Sequence, residues 1–139
     1  MATINMQVMR YINLLDQIAR VRAKKCFVYN NVIYFAVHPK FLSQAIGQNA
    51  RNLKIMSERL GKRVRIIRDA QDNVKGIERF VESIVSPVEF VSIEVRDGVF
   101  VLTAGSRTKA ATLIGRNKVR LSELSKIIHS YFGKDLKIV

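Results

Sequence analysis

A chain of 139 residues with 24 Lys+Arg against 11 Asp+Glu carries a formal net charge of +13 and has a sequence pI near 10.4. A field of that sign draws polyanions and speeds their encounter, and nucleic acid is the expected polyanion for a soluble basic domain; a charge-rich thermophilic surface would raise both signs together. The single cysteine, Cys26, excludes an intrachain disulfide and fits a reducing compartment. No apolar run approaches the roughly 20 residues of a membrane span, and Asn5, Gln7, Arg10 and Asn13 interrupt any signal-peptide core. A cytoplasmic protein without membrane association is expected.

In chain order, Ile4, Val8, Tyr11, Ile12, Leu15, Ile18 and Ala19 recur at spacings of three and four, which predicts an amphipathic helix over 4–22 with Thr3 as its cap. Cys26 to Tyr29 and Val32 to Val37 flank Asn30-Asn31, a residue pair that tolerates the positive φ of a tight hairpin turn. Pro39 suits the first turn of a short helix running through Phe41, Leu42 and Ala45 to Ile46. Gly47 breaks it, and a second helix on Leu53, Met56 and Leu60 stops at Gly61. Lys62 to Ile67 reads as a strand with interleaved cations. After the connector Asp69-Ala70-Gln71-Asp72, a helix on Val74, Ile77, Phe80, Val81 and Ile84 ends before Ser86-Pro87. Val91, Ile93 and Val95 alternate as a strand, Asp97-Gly98 is a hairpin turn, and the chain returns through Val99 to Thr103. Ser106 caps a short helix to Ile114; Gly115 breaks it. Leu121, Leu124, Ile127, Ile128 and Phe132 mark another helix to Gly133, and a closing strand follows at 136–139.

The order is therefore helix, strand, strand, helix, turn, helix, strand, written twice. Ala45-Ile46-Gly47-Gln48-Asn49-Ala50-Arg51-Asn52-Leu53 returns as Leu113-Ile114-Gly115-Arg116-Asn117-Lys118-Val119-Arg120-Leu121. Internal repetition outweighs the length prior for one domain. It divides the chain into 1–70 and 71–139, each small enough that a core alone is marginal, so the copies are expected to pack on each other. The offset between copies grows by four residues from Gly115 to Gly133, about one extra helical turn in the second copy.

A turn that opens a helix presents backbone N–H groups and the positive end of the helix dipole, and a glycine there lets a phosphate come close. Gln48, Asn49 and Arg51 add donors around the first turn, and Arg116, Asn117, Lys118 and Arg120 around the second. With this doubled order of elements, the chain resembles the K-homology domain, whose GxxG loop clamps the backbone of single-stranded nucleic acid beside an aliphatic groove. The phrase around Gly47, the Leu60-Gly61-Lys62-Arg63-Val64 turn and Ser86-Pro87 before a Val-rich strand resemble the archaeal NusA-like family. That resemblance covers essentially the whole chain. It implies an α+β fold of two tandem type II K-homology domains, each a three-stranded sheet against three helices. It also implies binding of single-stranded RNA, the nascent transcript, in transcription termination, antitermination or elongation. The implied RNA-binding residues are Ile46, Gly47, Gln48, Asn49, Ala50, Arg51, Asn52, Lys54, Lys62, Arg63 and Arg65 in the first copy. In the second they are Ile114, Gly115, Arg116, Asn117, Lys118 and Arg120. The family's second loop glycine is replaced by Ala50 and by Lys118.

Neither His38 nor His129 has partners at metal-ligand spacing, and no nucleophile elbow occurs, so no enzyme, metal or cofactor is expected. Tyr11, Tyr29, Tyr34 and Phe35 read as core. A monomer is expected. Competing readings are a ribosome-associated or RNA-processing protein, and an interaction module docking on RNA polymerase. Residues 1–70 hold 13 Lys+Arg and 3 Asp+Glu, and residues 71–139 hold 11 and 8, so +10 of the charge lies in the first copy and +3 in the second. The first copy is accordingly expected to dominate binding, through Arg51, Lys62 and Arg65 above all. Gly47→Asp and Gly115→Asp are expected to oppose a phosphate while leaving the fold little changed.

Overall fold

The structure is a computed structural model that describes residues 6–70 and 73–139. Two compact units meet in sequence between Asp69 and Ala70. In chain order the first contains α1 (Met6–Ala19), β1 (Lys25–Tyr29), β2 (Val32–Val37), a 3-10 turn at Pro39–Phe41, α2 (Leu42–Ile46), a 3-10 turn at Gln48–Ala50, α3 (Arg51–Leu60) and β3 (Arg63–Arg68). The second repeats the order with α4 (Val74–Val85), β4 (Ser92–Arg96), β5 (Val99–Thr103), α5 (Arg107–Ile114), a 3-10 turn at Arg116–Lys118, α6 (Val119–Phe132) and β6 (Asp135–Ile138). This mixed α+β architecture of two three-stranded sheets is consistent with two K-homology-like domains.

In each sheet the second strand is central. β2 pairs antiparallel with β1 and parallel with β3, and β5 does the same with β4 and β6. The antiparallel pair needs only a tight turn, with Asn30 and Asn31 at φ 49 and 63 and Asp97 and Gly98 at φ 51 and 76. The parallel pair needs a crossover, which two helices supply. Its register sets Val32 beside Arg63 and Val37 beside Arg68. The start of β3 therefore lies at the hairpin end of the sheet. α3 links that end to the Gly47 turn, and its ten residues span about 15 Å.

Ile33, Phe35 and Val37 alternate on the sheet face that meets Ile12, Leu15, Ala45 and Met56. Each of these side chains other than Ala45 contributes about 1.5–3 kcal/mol on burial. Cys26 packs against this cluster, and burial pushes its thiol pKa up to about 12. In the second unit Phe80, Ile84, Leu102, Leu113, Leu124 and Ile128 are buried, and the Phe100 and Phe132 rings meet edge to face at 5.6 Å. Tyr29, Tyr34 and Phe35 are buried and Tyr11 half-buried.

The first helix ends earlier than the periodicity predicts. Arg20 takes φ 58 with its amide on Asp16 O at 2.9 Å, and Val21 and Ala23 then enter the core from a non-helical segment. Thr3, Ile4, Gln71 and Asp72 lie outside the described residues. Asn73 caps α4, its Oδ1 accepting from the Gly76 amide at 2.7 Å. α6 has 14 residues against 10 in α3, which accounts for the offset that grows by four, and both helices stop at a left-handed glycine, Gly61 or Gly133. Among the described residues no helix is long and apolar enough to cross a membrane.

Candidate nucleic-acid interface

The Gly47 and Gly115 turns have the same backbone. Gly47 has φ 81 and ψ 166, and Gly115 has φ 75 and ψ 171, a region that is essentially glycine-only. Their amides close the preceding helices on Ser43 O and Ala111 O, both at 2.9 Å. A Cβ on Gly47 would meet Asn52 Nδ2 at 2.9 Å and the Asn52 amide nitrogen at 3.1 Å; one on Gly115 would meet Arg120 Cγ at 2.9 Å and the Arg120 amide nitrogen at 3.2 Å. The expectation that aspartate is tolerated at both glycines is thereby corrected. Surface position is not what constrains them; backbone angle and the close approach of the next helix are.

The residues after each glycine also match. Asn49 is left-handed at φ 55 and Ala50 at φ 58; in the second turn Asn117 and Lys118 follow Arg116 at φ 55 and 59. Ala50 N donates to Gly47 O at 3.1 Å and Lys118 N to Gly115 O at 3.2 Å, while Arg51 N and Val119 N close on Gln48 O and Arg116 O. The amides of Gln48, Asn49, Arg116 and Asn117 take no part in those bonds. Successive backbone N–H groups in such a turn make a concavity suited to an anion.

Ala50 does not begin α3 in helical geometry; it is the left-handed residue before it. The left-handed conformation costs a non-glycine residue about 1–2 kcal/mol, whereas glycine adds about 0.4–1 kcal/mol of unfolded-state entropy. Ala50→Gly and Lys118→Gly are therefore each expected to stabilise their unit, by up to about 1 kcal/mol. Thermal or urea unfolding of each variant measures this, and a loss of stability would contradict the left-handed assignment.

Neither α3 nor α6 has a side-chain N-cap bond or an acidic residue in its first turn. α4 and α5 differ, being capped by Asn73 and by Ser106, whose Oγ accepts from the Lys109 amide at 3.1 Å. The helices that follow the two glycine turns thus leave the positive ends of their dipoles uncompensated.

Two of the expected contact residues serve as braces. Asn52 Nδ2 donates to Gln44 O at 3.1 Å, and Arg120 NH1 donates to Thr112 O at 3.3 Å, in matching positions across each turn. Gln44, which sequence reasoning passed over, also donates through Nε2 to Ala19 O at 3.2 Å and ties the turn to the end of α1. Its only sequence signal is an amide side chain within a short apolar helix.

Gln48, Asn49, Arg51 and Lys54 are exposed around the start of α3, with Gly47 and Ala50 half-buried beside them and Ile46 packed against the core. Arg116, Asn117 and Lys118 are exposed in the second turn, and Ile114 is half-buried. Lys62 and Arg63 are not brought to the first turn, because the parallel register places them at the far end of α3. Arg65 pairs with Tyr34 across the sheet and lies 5.9 Å over its ring, on the face opposite Phe35. Among the described residues no group of His, Cys, Asp and Glu could hold a metal ion.

No family model matches the chain. It is 24% identical over 135 residues to a probable transcription termination protein NusA of Halococcus morrhuae, covering 96% of this chain and 94% of that protein. It is also similar to the crystal structure of APE1850, with a TM-score of 0.67 and 25% sequence identity, over 98% of this chain and 100% of that one. The first likeness extends over both units and supports a relation to NusA-like proteins.

Proposed function

We propose that the chain is a single-stranded RNA-binding, NusA-like factor built from two tandem type II K-homology domains, 1–70 and 71–139. It acts on the nascent transcript in termination, antitermination or elongation, as a binding protein and not as an enzyme. The observation that carries this reading is the pair of turns 68 residues apart with one backbone conformation, each opening a helix with no cap and no acid. A transcript phosphate sits at the amides of Gln48 and Asn49 on the positive end of α3, and Arg51 and Lys54 neutralise its neighbours. The likeness to a probable transcription termination protein supports the transcriptional setting.

Each phosphate neutralised on a single strand contributes about −0.7 to the slope of log affinity against log salt. Replacing Arg51 and Lys54 together by Gln is expected to flatten that slope by about 1.4 on a short unstructured RNA. Replacing Lys62 and Arg65, at the far end of α3 and across the sheet, is expected to change it less. Arg116 and Lys118 are expected to matter less than Arg51 and Lys54, because their unit carries +3 of the charge against +10. Salt titrations of binding decide among these sets. A slope unmoved by the Arg51 and Lys54 pair would remove α3 from the interface.

A further inference from the structure

Of the seven Phe and four Tyr in the chain, all among the described residues, only Phe41 is exposed, at 42%. A single exposed apolar side chain is ordinary in itself. What distinguishes Phe41 is how firmly it is held. Pro39 fixes φ in the turn that carries it. The Phe41 amide donates to His38 O at 2.8 Å, the Lys40 amide to His38 Nδ1 at 3.1 Å, and the Leu42 amide to Pro39 O. The His38 ring lies 6.0 Å from the Phe41 ring, tilted by 59°. With Nδ1 accepting, a neutral His38 ring carries its proton on Nε2.

This turn runs straight into α2, whose five residues, about 8 Å of helix, end at Gly47. The exposed ring and the first phosphate loop are thus opposite ends of one short element, with exposed Lys40, Arg51 and Lys54 beside them. Sixty-eight residues on, the positions of His38 and Phe41 hold Ser106 and Lys109, so the second unit has no such ring.

We propose that Phe41, steadied by His38, is a stacking platform for a base of the single-stranded RNA whose phosphate lies on the Gly47 loop. The inference rests on the RNA-binding reading above. Stacking accepts any base, because each has a π-face, so the platform adds affinity and gives little sequence preference. It also makes the first unit the one that senses bases as well as phosphates.

The chain contains no Trp, so Phe41→Trp places one indole at the platform. Its fluorescence is expected to be quenched on titration with short oligoadenylate, at an affinity within a few-fold of wild type. Phe41→Ala and Phe41→Leu are both expected to lose roughly five- to a hundredfold in affinity. Leu restores apolar bulk without a π-face, so rescue by Leu would reduce Phe41 to packing and overturn the proposal. Unchanged affinity in Phe41→Ala with an unquenched Trp would also overturn it, leaving the phosphate loop standing if a charge-reversed loop still weakens binding. Loss of polymerase association in Phe41→Ala with RNA affinity intact would reassign the ring to a protein partner. Failure of the wild type to bind oligoadenylate, oligouridylate or any other unstructured RNA would overturn both this inference and the reading on which it rests.

Discussion

Gln48→Glu combined with Asn49→Asp is expected to lower affinity for a short unstructured RNA by more than tenfold while leaving thermal unfolding unchanged. Both side chains are exposed in the first loop. Asn49 is left-handed, and aspartate is one of the few residue types that visits this region routinely. The fold is therefore spared. The two carboxylates stand where a phosphate is proposed to sit, and like charges about 4 Å apart oppose each other by roughly 1–4 kcal/mol between bulk water and a protein surface. Two such terms exceed the 1.4 kcal/mol of a tenfold change. The matching pair Arg116→Glu with Asn117→Asp is expected to act in the same direction with a smaller effect, because the second unit contributes less of the field. Equal affinities for wild type and the first-loop variant, in a folded protein, would take the loop out of the interface.

Gly47→Ala is expected to be among the most destabilising single changes on the surface of the first unit. Its ψ of 166 at φ 81 costs a residue with a Cβ about 1–3 kcal/mol. The added methyl also presses on the Asn52 backbone at 3.1 Å, so the loop must shift and the Asn52 brace to Gln44 O with it. In a unit of this size each kcal/mol moves the unfolding midpoint by about 4–8 °C, so a fall of roughly 10 °C is expected. Gly61→Ala is the control. Gly61 is also at positive φ but in the left-handed helical region, with nothing within 4 Å of a new Cβ, so it should lose only up to about 1 kcal/mol. Equal losses at the two glycines would mean that the Gly47 conformation is not as described. This strain also makes Gly47→Asp a poor probe of RNA binding, since lost affinity would be confounded with lost structure.

The features written in local chemistry were legible in the sequence. Asn30-Asn31 and Asp97-Gly98 announced their turns through positive-φ tolerance, Ser106 its cap, and Gly61 and Gly133 their helix stops. Repetition supplied the order of elements and the longer α6. Several features were not legible, each for a physical reason. Ala50 and Lys118 carry no local signal of their conformation, and only backbone geometry shows that they stand in one glycine would prefer. Asn52 and Arg120 look like free donors because their acceptors, Gln44 O and Thr112 O, are main-chain atoms with no residue signature. Lys62, Arg63 and Arg65 look close to the first loop in sequence, but a parallel crossover carries them to the other end of α3 and across the sheet. Arg20 ends α1 within a run whose apolar periodicity continues past it.

The central claim is that the Gly47 turn receives an RNA phosphate through its backbone. Backbone amide shifts followed by NMR during titration with a short unstructured RNA test it most directly, because the amides of Gln48 and Asn49 are the proposed donors. Those two amides, with Arg51, are expected to move most in the first unit, and Arg116 and Asn117 to move less at the same RNA concentration. Saturable binding whose shifts spare residues 47–54 and gather elsewhere would contradict the claim.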